Sequence, residues 1–89
     1  MKAVITVIGH DRVGIIAAVS AILAECNVNI LDISQTIMQN VFTMIMLVEI
    51  SNSSIPFFEL SDRLDKKGRE LELSIKMQHE DIFNSMHRI

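Results

Sequence analysis

Apolar and polar positions divide the chain into stretches of two different periods. Ala3 to Ile8 is a β-branched run, apolar on both faces, and predicts a central strand. From Arg12 to Cys26 the period lengthens. Ile15, Val19, Ile22 and Cys26 recur at i, i+4, i+7 and i+11, with Ile16 and Leu23 beside them and small residues (Ala17, Ser20, Ala21, Ala24) opposite. This is the stripe of a first helix, and Asn27 follows as a residue that tolerates the left-handed turn at a helix end. Val28 to Gln39 predicts a second strand with polar residues on both faces, as at a sheet edge or where another subunit meets it. Asn40 marks a tight turn. Phe42 to Ile50 is apolar on both faces and predicts a second central strand. After the loop Ser51 to Ser54, Ser53 or Ser54 is expected to cap a second helix, with Pro56 in its first turn, Phe57, Leu60 and Leu64 as its stripe, and Gly68 at its end. Leu71 to His79 alternates cleanly and predicts a half-exposed edge strand. Glu80 to His87 predicts a short terminal helix.

The order β-α-β-β-α-β plus a tail predicts an α+β, ferredoxin-like βαββαβ sandwich. Its antiparallel sheet should run 4-1-3-2, with both main helices on one face and a short C-terminal helix. Residues 1–89 read as a single domain. Because the central strands are apolar on both faces, the face opposite the helices needs a cover, from the tail helix or from a second subunit.

Composition sharpens this. Half the chain is apolar (49%), with four Phe and no Trp or Tyr, more apolar surface than one small core hides, so a homodimer or a higher oligomer built from it is expected. A net charge of −3 argues against a nucleic-acid module that works by neutralising phosphates. One cysteine allows no internal disulfide and fits a reducing compartment, so the expected location is cytoplasmic. Met1-Lys2 leads directly into a strand, which reads as no secretory signal. No apolar run approaches the ~20 residues of a membrane span.

Chemistry concentrates in Ile8-Gly9-His10-Asp11-Arg12-Val13-Gly14-Ile15-Ile16, a strand-to-helix turn. Gly9 lets the backbone bend and be approached closely. Asp11 is a good helix cap. Gly14 in a first helical turn costs about 0.8–1.0 kcal/mol relative to Ala, and close approach by another backbone or a small ligand would explain it. The amides of Arg12 to Ile15 suit a carboxylate, Asp11 suits an ammonium group, and a zwitterion would use both. His10 is either a donor to the anion or an exposed loop residue. Asn29 can donate and accept at once, as an amino-acid backbone requires. The rival reading of the turn is a capped junction with no ligand.

Other reactive types offer less. His79 and His87 are too loosely spaced for a metal site, so no metal or cofactor is expected. Cys26 falls on the core stripe. Ser20, Ser34 and Asp32 lack a nearby base pattern, so the chain reads as no enzyme. A single-stranded RNA reader of this topology needs exposed aromatics on its central strands, where Phe42 is the one candidate. A metal carrier would have Cys-x-x-Cys at the first turn. An acylphosphatase-like hydrolase would have only Arg12 and Asn29 as weak equivalents of its catalytic pair.

The string Gly9-His10-Asp11-Arg12-Val13-Gly14-Ile15-Ile16-Ala17, followed by Asn27-Val28-Asn29-Ile30, resembles the signature of ACT domains. Ile33-Ser34-Gln35-Thr36, Phe42-Thr43-Met44-Ile45-Met46 and Glu80-Asp81-Ile82-Phe83 resemble more narrowly the short stand-alone prokaryotic members. The resemblance covers essentially the whole chain. It implies a ferredoxin-like regulatory module that pairs and binds an amino acid at the subunit interface. Gly14 matches the glycine that admits the ligand to the helix, and Asn29 the residue that reaches it from the neighbouring subunit. Gly9 and Asp11 depart from the polar side chain and Asn of amino-acid-binding members. The candidate ligand-binding residues are therefore Gly9, His10, Asp11, Arg12, Val13, Gly14, Ile15, Asn29 and Ile30. The expected function is amino-acid sensing by a homodimer that signals to a separate protein, and the alternative is a ligand-free dimerisation or adaptor module.

Overall fold

The structure, a computed structural model, describes residues 1–10 and 13–86. Its elements are β1 (Lys2–Gly9), α1 (Ile15–Glu25), β2 (Asn29–Met38), β3 (Val41–Glu49), α2 (Phe57–Glu70), β4 (Ser74–His79) and α3 (Glu80–Met86). The strands form one antiparallel sheet in the order β2-β3-β1-β4, the expected order read from the other edge.

The two faces of the sheet follow from the register. Ala3, Ile5 and Val7 of β1 stand beside Val48, Met46 and Met44 of β3 and beside His79, Met77 and Ile75 of β4. Apart from His79, these residues form one core with Val19 and Leu23 of α1 and Leu60 and Leu64 of α2. The helices therefore cover this face. On the other face Val4 is buried, whereas Ile8 and Ile45 remain exposed. Among the described elements, the short α3 lies against β1 and β4.

β2 is an edge, and its pairing with β3 contains a bulge. Ile30 stands opposite Val48, but Asp32 already stands opposite Leu47, so Leu31 is the extra residue. A strict alternation puts Leu31, Ile33 and Ile37 on one face and Ile30 on the other. The bulge instead brings Ile30 to the helix-covered face with Ile33, Gln35 and Ile37. The β2–β3 connection is a two-residue turn with both Gln39 (φ 48°) and Asn40 (φ 71°) left-handed, the geometry whose twist matches paired strands.

Both long helices end in the same way. Asn27 (φ 59°) follows α1, with Val28 N–H donating to Leu23 (2.9 Å) and Asn27 N–H to Ala24 (3.2 Å). Glu72 (φ 59°) follows α2, with Leu73 N–H donating to Gly68 (2.7 Å) and Glu72 N–H to Arg69 (3.3 Å). These are the paired 6→1 and 5→2 bonds of a Schellman ending, and Asn27 plays the part expected of it.

Four local expectations change. Gly68 does not end α2. It is buried inside the helix, which runs on to Glu70. Leu71 to Leu73 accordingly form the helix exit, and β4 begins at Ser74. Ser53 does not cap α2 either. Its hydroxyl donates to the Ile55 carbonyl and accepts from the Ile55 amide, tightening the preceding turn, and Pro56 occupies the cap position without a side-chain bond. Ile16 lies exposed rather than beside the core.

At one end of the sheet the Met1 ammonium group lies 2.7 Å from the Glu49 carboxylate, which also accepts from the Ser51 hydroxyl (2.9 Å). The ammonium first and then Ser51 hold the Glu49 carboxyl at about 2, below its ordinary 4.5. A carboxyl depressed on folding stabilises the fold above its unfolded value, and that stabilisation is lost as pH falls through the folded value. Glu49→Gln is therefore expected to flatten the pH dependence of urea stability between about 4.5 and 2. The difference from wild type should shrink in high salt, since the pair is exposed. Parallel pH profiles for the two proteins would remove this role.

Candidate functional site

β1 ends at Gly9, which stands opposite Phe42 in the ladder. A Cβ on Gly9 would overlap the Leu73 side chain. The space left by this glycine is thus filled from the α2–β4 connection.

Gly14 has a different reason to be glycine. It caps α1 in the left-handed conformation (φ 78°, ψ −8°), and an added Cβ would meet nothing within 4 Å. The chain needs glycine here for its backbone angle, and the helix begins at Ile15, three residues later than the Arg12 start expected, so Gly14 lies before its first turn and not in it. Glycine at the cap of α1 has no side chain to bond the first-turn amides, and no side-chain cap bond is made among the described residues. The first-turn amides have, by helix geometry, no intrahelical acceptor. Asp11 and Arg12, the expected cap and its neighbour, lie outside the described residues. Gly14→Ala is expected to cost about 1–2 kcal/mol, the penalty of a left-handed L-residue. Urea unfolding measures it, and an unchanged midpoint would show that the turn can relax.

The turn forms one wall of a cleft of about 220 Å³. His10, Val13 and Ile15 contribute from the β1–α1 side, and Leu71, Glu72 and Leu73 from the end of α2. His10 is exposed. Sequence reasoning missed the second wall because Leu71, Leu73, Ile75 and Met77 alternate as a strand does. The helical signal was also present: Phe57, Leu60, Leu64, Gly68 and Leu71 keep the spacing of three and four residues along one helix face.

The remaining candidates, Asn29 and Ile30, are not at this cleft. Asn29 stands opposite Glu49, which stands opposite Lys2, whereas Ile37 stands opposite Phe42 and Phe42 opposite Gly9. The two groups are separated by the length of β1, roughly 23 Å at 3.3 Å per residue. Asn29 lines a separate cleft of about 290 Å³ with Asn27, Asn52 and Glu49, where Asn27 Nδ2 donates to the Asn52 carbonyl at 2.9 Å. Ile30 is half-buried beside Val48. One copy of the chain thus carries the expected site in two halves at opposite ends of its sheet.

Other reactive side chains have structural surroundings. The His79 ring stacks on Phe57 (centroids 4.2 Å apart, planes within 9°). Buried Cys26 accepts from Arg63 at 3.1 Å, and the same guanidinium donates to Glu25 at 3.2 Å, tying α2 to the end of α1. No group of three His, Cys, Asp or Glu is placed to hold a metal ion among the described residues. Among them, too, no helix is long and apolar enough to cross a membrane.

The family profile described as ACT domain matches residues 2–78. The chain belongs to the ACT-domain family. ACT domains are small-molecule-binding regulatory modules. This ACT domain is 63% identical over 89 residues to a UPF0237 protein of Clostridium acetobutylicum, with both chains covered completely. It is 58% identical over 88 residues to a UPF0237 protein of Methanocaldococcus jannaschii, covering 99% of this chain and 98% of the relative. Among solved structures it is similar to an ACT domain protein from Streptococcus pneumoniae, with a TM-score of 0.81, 42% identity and 93% of each chain covered. The regulatory subunit of aspartate kinase from Thermus thermophilus shares the fold, with a TM-score of 0.66 at 24% identity over 86% of this chain and 50% of that one.

Proposed function

We propose that this ACT domain acts as a homodimer that binds a free amino acid, or a similarly small zwitterion, at a site made by two copies. The observation that carries the reading is the division of the candidate residues between opposite ends of one sheet, with β2 as an edge that has no outer neighbour among the described strands. Joining β2 to its own copy across a two-fold axis pairs the strands antiparallel. Asn29 and Ile30 of one copy then move to the end of the sheet that bears Gly9 and Gly14 in the other.

The edge suits such joining. Ile33 (38% exposed) and Ile37 (54%) lie on its helix-covered face, beyond the reach of the helices, and Leu31 is exposed at the bulge. A long exposed strand edge is a template for pairing. In this reading the amides from Arg12 to Ile15 hold the carboxylate at the positive end of α1, with His10 at the rim. Asp11 and the second copy's Asn29 hold the ammonium group. Ligand binding changes how two copies sit together, without catalysis, and the output passes to a separate protein in the cytoplasm, where the lone thiol of Cys26 stays reduced.

The filling of the Gly9 space by Leu73 favours a second reading, a ligand-free dimerisation or adaptor module. Thermal melts with each of the twenty amino acids, run beside sedimentation analysis, separate the two. A ligand at a hundredfold its Kd should stabilise by about 2.7 kcal/mol, a rise of roughly 10 °C for a domain of this size. A flat screen on an intact dimer would leave the adaptor. Ile33→Lys/Ile37→Lys is expected to give a folded monomer that no longer responds to the ligand. A dimer that persists in this variant would refute β2 pairing.

A further inference from the structure

We infer that the amino acid bound at the start of α1 carries an aliphatic side chain, the size of that of valine, leucine or isoleucine, and that the cleft between the β1–α1 turn and the end of α2 receives it. This adds the class of side chain to the proposed amino-acid site and rests on that site.

The proposed contacts leave the side chain one way to go. The carboxylate sits on the amides of Arg12 to Ile15, and the second copy's Asn29 draws the ammonium group toward β2. β3 and β1 separate β2 from β4 in the sheet, and α2 packs on β4. The cleft has the end of α2 as its second wall, so it lies on the side of the turn away from Asn29. The side chain is the substituent left to enter it.

The lining and the size of the cleft select what enters. Val13 and Ile15 on one side and Leu71 and Leu73 on the other are aliphatic. Ile15 and Leu73 also pack in or against the core. Val13 (84% exposed) and Leu71 (41%) do not, and they turn apolar surface to solvent. At about 220 Å³ the cleft is smaller than the roughly 300–1,000 Å³ that holds a drug-sized ligand, and larger than the ~150 Å³ apolar cavity that holds benzene. It fits a short carbon chain and not a peptide or a helix.

Charge is the weaker selector. The two remaining lining residues, His10 and Glu72, are both exposed. The Glu72 carboxylate disfavours an acidic side chain and attracts a basic one. An exposed ion pair, however, is worth at most about fivefold in affinity. Each methylene buried against the aliphatic walls is worth about fourfold, and a leucine side chain buries several more carbons than the methyl of alanine. The apolar contact therefore outweighs the single carboxylate.

Calorimetric titration of the full chain with leucine, valine, alanine, aspartate and lysine, read beside the amide shifts of residues 13–15 and 71–73, tests this. Leucine is expected to bind at least about tenfold more tightly than alanine, aspartate or lysine, with valine between leucine and alanine, and to shift both groups of amides. Leu71→Ser should cut the preference for leucine over alanine to about threefold or less, and Leu71→Met, which keeps the apolar bulk, should retain it. The ratio is taken within one variant, so a general loss of stability does not mimic the effect. Alanine, aspartate or lysine binding as tightly as leucine, a leucine response that spares residues 71–73, or a ratio unchanged by Leu71→Ser would each overturn the side-chain pocket and leave the shared site standing. Leucine binding undiminished in the Ile33→Lys/Ile37→Lys monomer, with residues 71–73 still shifted, would overturn the shared site and support the pocket. No response to any amino acid would overturn both.

Discussion

Phe42→Ala is expected to lower the unfolding free energy by about 3–5 kcal/mol, the range for removing a buried aromatic ring. Phe42 is 2% exposed and is the largest of the fully enclosed side chains. A domain of this size has a total stability of roughly 5–13 kcal/mol, so the variant should lose a quarter or more of it and have a much lower urea midpoint. The position matters as much as the size. Phe42 pairs with Gly9 on one side and Ile37 on the other, and so lies under both the β1–α1 turn and the end of the β2 edge. Any ligand response should therefore weaken even in variant protein kept folded by low temperature. A loss below about 1 kcal/mol would show that the ring can be replaced by local collapse, contrary to a core that is packed at this end.

Gly68→Val is expected to cost about 3 kcal/mol, although valine is the better helix residue by propensity alone. A Cβ at this position would stand 2.9 Å from the Leu73 carbonyl oxygen and 3.1 Å from Ile75 Cγ1. The carbonyl is backbone and cannot rotate away as a side-chain tip would. Leu73 is also fixed by its own amide, which donates to Gly68 at 2.7 Å. The substitution must therefore push the α2–β4 turn outward, moving Leu73 away from Gly9 and opening the cleft wall. Gly68→Ala meets the same carbonyl with less bulk and recovers up to about 1 kcal/mol of helix propensity, so it should fall between wild type and valine. Urea denaturation of the three proteins gives the order, and a valine variant as stable as wild type would contradict the close packing of α2 on β4.

The two largest effects fall on residues that the sequence showed unequally. Phe42 was visible as part of a strand apolar on both faces, and a two-faced apolar strand belongs in the middle of a sheet. The sheet order followed from the same reasoning, since β1 and β3 share that pattern while β2 and β4 carry polar residues. Gly68 was visible as a glycine but misread, because a glycine after an amphipathic stripe usually ends a helix. Here it is needed for close approach of α2 to β4, a requirement set by tertiary packing that no local pattern carries. The bulge at Leu31 was hidden for a similar reason. Its extra residue is defined only by the partner strand, and it returns Ile30 to the face of Ile33.

The candidate site shows the same division. The β1–α1 turn is legible as a candidate from two glycines on either side of the expected cap, Asp11, and Asn29 as a candidate from its donor and acceptor chemistry and the resemblance of its surroundings. The reason for each glycine was not legible. Gly14 is required by its backbone angle, and Gly9 by Leu73, which approaches from 64 residues further along the chain. Local spacing cannot report a neighbour so distant in sequence. That Asn29 and Gly9 lie at opposite ends of one sheet follows only once strand register is known, and that separation makes a second copy necessary to the proposed site.

An amide NMR titration of the full-length chain with each amino acid tests that necessity most directly. The amides of Val13, Gly14, Ile15, Asn29 and Ile30 are expected to shift together along one saturable curve, and the whole response should vanish in the Ile33→Lys/Ile37→Lys monomer. Shifts confined to one of the two groups, or an undiminished response in the monomer, would contradict a binding site shared between copies.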